Sequence, residues 1–148
     1  MVYFMRVEEI ITYDEYWADP RFERKHPFLH GSKMRSFGDN IYHKDPATGN
    51  WCQANSFHSL HDGSHNPLNI EHDTHSEKVL IGSDFTYWGG SGPQIPQCFR
   101  DYNGDDICAK RGHRVNFADD HMSDFIGWIR GLNAHGYIGR PLDWPRSG

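Results

Sequence analysis

Apolar and aromatic residues occur along this chain in short bursts divided by polar runs, and each burst predicts a small element. The first, Val2-Tyr3-Phe4-Met5-Arg6-Val7-Glu8-Glu9-Ile10-Ile11, is rich in β-favouring side chains and predicts a strand with one well-buried face. Thr12-Tyr13-Asp14-Glu15-Tyr16-Trp17 comes next with capping-box spacing, Thr12 as N-cap and Glu15 three residues on, and Asp19-Pro20 ends that amphipathic turn. Residues 22–33 are charged and irregular, apart from Pro27-Phe28-Leu29, which is expected to drop onto the core. Gly38-Asp39-Asn40 is a turn opening a strand at Ile41-Tyr42-His43; residues 45–50 form a hairpin loop, and Trp51-Cys52-Gln53 is the return strand.

Residues 54–77 make the longest polar run, rich in His, Asn, Ser, Asp and Gly, and predict one long functional loop anchored by Phe57, Leu60, Leu68 and Ile70. The apolar Val79-Leu80-Ile81 predicts a strand central to a sheet, which then changes character through Gly82-Ser83 into a carboxylate, three aromatics and Gly89-Gly90. Such a strand end lets backbone approach a flat ligand closely and gives that ligand a face to stack on. Pro93-Gln94-Ile95-Pro96 reads as extended, residues 101–106 as a surface turn and residues 111–116 as another turn and strand. From Asp119 to about Leu132, the stripe Met122, Phe125, Ile126, Ile129 and Leu132 predicts a helix capped by Asp119 or Asp120, with its apolar face in the core. Gly136 and Gly139 break the chain after this helix, and Trp144 is expected to pack back from the tail. Without repeats or low-complexity tracts, the pattern predicts a single α+β domain over residues 1–148. A chain that opens directly inside a strand implies either an edge strand or a neighbour supplied by a partner chain.

Composition narrows the function. The hydrophobic share is only 36% but aromatics reach 14%, so a few large side chains must carry the core and others are left for a ligand or partner. No apolar run approaches the roughly 20 residues that cross a bilayer, and no charged-then-apolar leader opens the chain, so the expectation is a cytoplasmic protein with no membrane partner. Cys52, Cys98 and Cys108 form no CxxC pair, which argues against a disulfide framework or a thiolate zinc site and leaves them as small buried hydrophobes. The net charge of −5 opposes gripping of duplex DNA by a basic face, although 11 histidines would reverse its sign if all were protonated.

Three groups carry candidate chemistry. His58, His61, His65, His72 and His75, with Asp62 and Asp73, have the atoms for Zn²⁺ or Fe²⁺, but their spacing matches no metal fingerprint, and loop histidines more often serve as hydrogen-bond partners. Tyr42, Trp51, Phe57, Phe85, Tyr87 and Trp88 supply rings on which a base can stack, and a domain of this length needs two or three of them for its core. Asp39, Asn40, Gln53, His58, Ser83 and Asp84 supply donors and acceptors that can read a base edge, with Asp39 and Asn40 equally explained as turn residues. Asp84 comes after an apolar strand, so partial burial would oblige it to find a hydrogen-bond partner. Ser83 lies in no GxSxG elbow, Gly89-Gly90-Ser91-Gly92 lacks the lysine of a phosphate loop, and no cofactor is indicated. Asp101, Asn103 and Asp105 are spaced as in a calcium loop, but position 112 is glycine where the bidentate glutamate belongs.

Taken in order, these residues resemble the second type of nucleotide modification associated domain. The resemblance rests on Tyr3-Phe4-Met5-Arg6-Val7, Thr12 to Phe22, Gly38-Asp39-Asn40-Ile41-Tyr42, Trp51-x-Gln53 with His58, Val79-Leu80-Ile81 to Asp84-Phe85-x-Tyr87 and Gly89, and Phe125-x2-Trp128-Ile129. It implies a small PUA-like β-barrel with flanking helices, similar to EVE and ASCH domains, that presents a pocket for a modified nucleobase or nucleotide, free or within DNA, in viral or bacterial DNA modification. The pocket walls would be Tyr42, Trp51, Phe85, Tyr87 and Trp88, with Asp39, Asn40, Gln53, His58, Ser83 and Asp84 as ligand-binding groups. The family pattern carries a further Gly-Asp turn and strand ahead of the position where this chain starts, which implies a barrel left incomplete or completed by a homodimer or another chain. The alternative is an enzyme that modifies or cleaves a nucleotide, with Asp84 and His58 as acid and base, their pKa values moved toward neutrality by burial. A metal-assisted form of that enzyme would use His58, His61 and His65.

Overall fold

The computed structural model describes residues 1–108 and 113–140. In chain order the elements are β1 (Tyr3–Met5), β2 (Glu9–Thr12), α1 (Tyr13–Ala18), a 3₁₀ helix (Pro20–Lys25) and α2 (Lys33–Phe37). Then come β3 (Tyr42–Lys44), β4 (Trp51–Gln53), α3 (Pro67–Asp73), β5 (Lys78–Ile81) and β6 (Phe85–Tyr87). A short 3₁₀ turn (Gly89–Ser91), α4 (Gln97–Arg100), α5 (Asp119–Gly131) and β7 (Gly136–Tyr137) complete the order. The fold is mixed α+β, and the described strands form three small sheets without a closed barrel. The chain divides into two compact units, Val7–Ile81 and Met1–Arg6 with the chain from Gly82 onward. Residues 111, 112 and 144, on which expectations of a turn, a calcium ligand and a packed tryptophan fell, lie outside the described residues.

The Val7–Ile81 unit starts with β2 antiparallel to β5, Glu9 opposite Ile81 and Thr12 opposite Lys78. The capping box forms as its spacing predicts: the Thr12 hydroxyl accepts from the Glu15 amide at 3.2 Å, and the Glu15 carboxylate accepts from the Thr12 amide at 2.8 Å. Asp19 ends α1 and its side chain caps the 3₁₀ helix opened by Pro20, an element hidden by the charged composition of that stretch. The hairpin of β3 and β4 pairs Tyr42 with Gln53 and Lys44 with Trp51. Tyr16, Ile41 and Tyr42 form its buried apolar centre, and the fully buried Asn40 donates to the Tyr16 carbonyl at 2.9 Å, tying the turn before β3 to α1.

Here four expectations fail. The expected strand over residues 2–11 is two strands, because the chain leaves one unit at Arg6 and enters the other at Val7. Val79-Leu80-Ile81 is not central, since among the described residues β5 pairs only with β2, and Leu80 stays exposed. Phe28 and Leu29 are exposed rather than in the core. The polar run of residues 54–77 contains α3, with Asn66 capping two amides and Pro67 in the first turn.

In the other unit β6 lies between β1, antiparallel, and β7, parallel. Trp88, Phe99 and Ile129 are its buried apolar residues, and Phe99 meets Phe125 at 5.3 Å and Trp128 at 5.7 Å. The late helix forms where the stripe predicts, but its N-cap is Ala118 without a side-chain bond, and Ile126 is exposed. Residues 113–118 are irregular, with Val115 exposed, and Cys98 is exposed rather than buried. The glycines after β6 serve internal packing: a Cβ on Gly139 would lie 1.9 Å from the Trp88 carbonyl oxygen, and one on Gly89, at φ +59°, 1.9 Å from that of Arg140. Two backbone segments therefore touch where a ligand was expected.

Gly139→Ala should lower stability in urea unfolding by about 3 kcal/mol, the upper range for forcing volume into a packed site. Gly127→Ala, in α5 with nothing within 4 Å of the added Cβ, should raise stability by roughly 0.5–1 kcal/mol.

Candidate functional site: a histidine held by a carboxylate and a tyrosine

In the Val7–Ile81 unit four elements converge on Asp73, the last residue of α3. The Tyr42 hydroxyl from β3 donates to Asp73 Oδ2 at 2.6 Å. His58 Nδ1, from the loop after β4, lies 2.8 Å from the same oxygen, and His72 Nδ1 lies 3.0 Å from Oδ1. The Tyr13 hydroxyl from α1 donates to the Asp73 carbonyl at 2.7 Å. A carboxylate in the last turn of a helix faces the negative end of the dipole, so its presence there calls for compensating donors. Three side chains supply them.

This geometry sets the charge balance. Burial alone would raise the Asp73 pKa, but hydrogen bonds from His72, Tyr42 and His58 outweigh it and hold the carboxyl below its usual range. Burial, then the bond to Asp73 and its charge, push the Tyr42 phenol well above its ordinary value. Burial and the Asp73 charge raise Tyr13 as well. An ionised carboxylate accepts only, so each histidine must present Nδ1–H to it. In the neutral imidazole His58 Nε2 then carries the lone pair, and it has no hydrogen-bond partner among the described residues.

Gln53 and Asn69 fix the loop that carries His58. Gln53 Nε2 donates to the His58 carbonyl at 3.1 Å, its Oε1 accepts from the Asn66 amide at 2.7 Å, and Asn69 Nδ2 donates to the same His58 carbonyl at 2.7 Å. Gln53 is buried and its amide is fully engaged, so it builds the loop rather than facing a ligand. Trp51 packs edge-on against Tyr13 at 5.5 Å, with the Lys44 ammonium 5.0 Å from its ring centroid. Asn40 is buried in the framework, and the exposed Asp39 takes Lys25 Nζ at 3.1 Å.

The remaining expected residues belong to the other unit. Ser83 is exposed between β5 and β6. Asp84 does find the partner its partial burial demands, a two-point contact with the Arg130 guanidinium that includes a 2.7 Å bond to Oδ1. That contact lowers its pKa, the reverse of the shift toward neutrality expected of a catalytic acid. Phe85 and Tyr87 pack on Tyr137 at 5.1 Å and 6.1 Å, and Trp88 is buried. His61 is exposed, His65 Nε2 accepts from the Gln53 amide at 3.4 Å, and among the described residues no group of three His, Cys, Asp or Glu could hold a metal ion.

Of the residues singled out in the sequence, Tyr42, Gln53 and His58 come together here; Tyr13 and Asn69 were not among them, and Asp73 was weighed only as a metal ligand. The Asn66-Pro67 start signal was present and would have put Asp73 at a helix end, although nothing local joins it to His58 fifteen positions away.

Together the elements and the site define a small α+β protein with an oriented histidine beside a buried tyrosine. The model of the family described as nucleotide modification associated domain 2 matches residues 1–148, and the chain belongs to that family. No curated protein and no solved structure matches it. Among the described residues no helix is long and apolar enough to cross a membrane.

Tyr42→Phe removes a hydrogen bond to an ionised group and should cost about 2 kcal/mol in chemical denaturation. The lowered Asp73 pKa means that its contribution to stability is complete above the ordinary carboxylate range and is lost as pH falls through the folded-state value. In scanning calorimetry the fall in Tm between about pH 5 and pH 3 should therefore be smaller in Asp73→Asn than in the parent protein.

Proposed function

We propose that the chain recognises a modified nucleobase or nucleotide, as part of a nucleotide modification system, with His58 as the group that meets the ligand. The observation that supports this most directly is the imidazole held at Nδ1 by Asp73 with Nε2 unengaged, its side chain 43% exposed. An oriented acceptor of this kind reads an N–H on a base edge, a ring nitrogen or an exocyclic amine. Family membership supplies the nucleotide class.

The same imidazole supports a second reading. A carboxylate behind Nδ1 is also what orients a general base, so an enzyme that takes a proton from a nucleotide or from water at Nε2 uses the same atoms. The carboxylate touching His58 is Asp73, so in this reading Asp73 orients the base and Asp84 stays with Arg130. The PUA-like barrel belongs to the proposal too: the described strands do not close one, and the reading takes the barrel as left incomplete or completed by another chain.

One experiment separates binder from enzyme. The purified chain is titrated with unmodified and 5-hydroxymethylated pyrimidine nucleosides and their 5′-monophosphates, and each mixture is followed by mass spectrometry. A binder shows affinity for a modified form, weakened about tenfold or more in His58→Gln, with no change of ligand mass. An enzyme shows a new mass that disappears in His58→Gln and falls in Asp73→Asn. Affinity unaffected by His58→Gln removes His58 from the site under both readings. Light scattering tests the barrel: a dimer supports closure by a second copy, and a monomer removes that form of it.

A further inference from the structure

The Val7–Ile81 unit holds a second place suited to a ligand, away from the polar residues singled out in the sequence. A cavity of about 350 Å³ is lined by Glu23, Arg24, His26, Pro27, Phe28 and Arg35. That volume lies within the range of small-molecule sites, roughly 300–1,000 Å³.

The two arginines differ from four others in the chain. Arg21, Arg100, Arg114 and Arg130 each pair with a carboxylate. Arg24 and Arg35 have no carboxylate partner among the described residues, in a chain whose net charge is −5. Two unpaired guanidinium groups on one cavity are the donors that a phosphate takes at two points. The Arg35 guanidinium lies over Phe28, 4.9 Å from the ring centroid, and Phe28 remains 46% exposed, which leaves ring surface for a flat group to stack on.

The cavity walls are held by backbone and ring contacts. The Phe28 amide donates to the Arg35 carbonyl at 2.8 Å, which brings the aromatic and one arginine together. The Lys25 carbonyl accepts from the amides of Asp39 and Asn40, both at 3.1 Å, and the His26 ring stacks on Trp17 at 4.1 Å. Gly38, at φ +45°, lets the backbone at Pro27 approach so closely that a Cβ would lie 2.6 Å from its nitrogen. Glu23 is the one acid in the lining. It disfavours a bare phosphate and offers an acceptor to a hydroxyl or amine, so the lining suits an anion that also carries hydrogen-bond donors.

We propose that this cavity binds a nucleoside 5′-phosphate, with the phosphate on Arg24 and Arg35 and the base against Phe28. The nucleoside part of the ligand class rests on the nucleotide reading above, and the anion part rests on the two arginines. The shared chemistry, a 5′-phosphorylated nucleoside, is present both in free nucleotides and at the end of a DNA strand.

Isothermal titration of the full chain with the four deoxynucleoside 5′-monophosphates, their nucleosides, inorganic phosphate and a 5′-phosphorylated tetranucleotide tests the proposal. At least one monophosphate should bind tenfold or more tightly than its nucleoside and than inorganic phosphate. The tetranucleotide binding more tightly than any monophosphate assigns the ligand to a strand end, and the reverse assigns it to free nucleotide. In Arg24→Gln/Arg35→Gln, with folding checked by circular dichroism, monophosphate affinity should fall at least tenfold. Arg35→Lys, which keeps the charge and loses the fork, should give an intermediate loss. Equal binding of monophosphate and inorganic phosphate, no binding of any probe, or full affinity in the folded double variant overturns the proposal. Binding lost in His58→Gln but kept in the double arginine variant also overturns it, while leaving the His58 reading standing.

Discussion

One carboxylate at the end of a short helix governs how the Val7–Ile81 unit is assembled. Asp73 takes side-chain donors from β3, from the loop after β4 and from its own helix, while its carbonyl takes the Tyr13 hydroxyl from α1. A charge in that position, partly buried and against a helix dipole, is unfavourable without such donors. Each bond contributes modestly by itself, on the order of 1.5–3 kcal/mol when one partner is charged, and the consequence of leaving the carboxylate unpaired is larger than any single bond. The same requirement that joins these elements also fixes the orientation of His58, so structure and candidate chemistry share one cause.

A different constraint governs the other unit. Its backbone segments meet at Gly89 and Gly139 at distances that exclude any side chain. The sequence signal of a strand running into aromatics and glycines is real, but its physical origin here is close packing of the chain on itself. Tyr87 rests on Tyr137, Trp88 is buried, and Asp84 is neutralised by Arg130. A ligand-facing strand end and a self-packed one use the same residue types, because both need backbone without Cβ and rings without neighbours on one side.

What could be read from the chain alone was whatever is decided within a few residues. The capping box at Thr12 and Glu15, the hairpin around residues 45–50, and the late helix over Asp119–Gly131 each depend on local periodicity or turn chemistry, and each forms. The division of the first apolar burst between two units was not legible, since Arg6-Val7 carries no turn residue and only the pairings of β1 with β6 and β2 with β5 decide it. In the candidate site, Tyr42, Gln53 and His58 stood out by residue type, yet their roles differ: Gln53 is engaged on both sides of its amide, while His58 keeps one nitrogen open. Asp73 became a partner of His58 only through helix α3, whose polar composition concealed it.

Engagement, rather than residue type, is therefore the better guide to what this fold can present. Several of the polar groups that look suited to reading a base are engaged within the chain: Gln53 by Asn66 and His58, Asp84 by Arg130, Asp39 by Lys25, and Asn40 through its Nδ2 by Tyr16, although the buried Asn40 Oδ1 has no partner among the described residues. A buried group that already has its partners gains little by meeting a ligand and loses those bonds if it turns toward one. Among the groups that folding leaves without a hydrogen-bond or carboxylate partner are one imidazole nitrogen at His58 and the guanidinium groups of Arg24 and Arg35. An acceptor of the kind that reads a base edge and donors of the kind that hold a phosphate each suit one part of a nucleotide, the class of molecule after which the family is named.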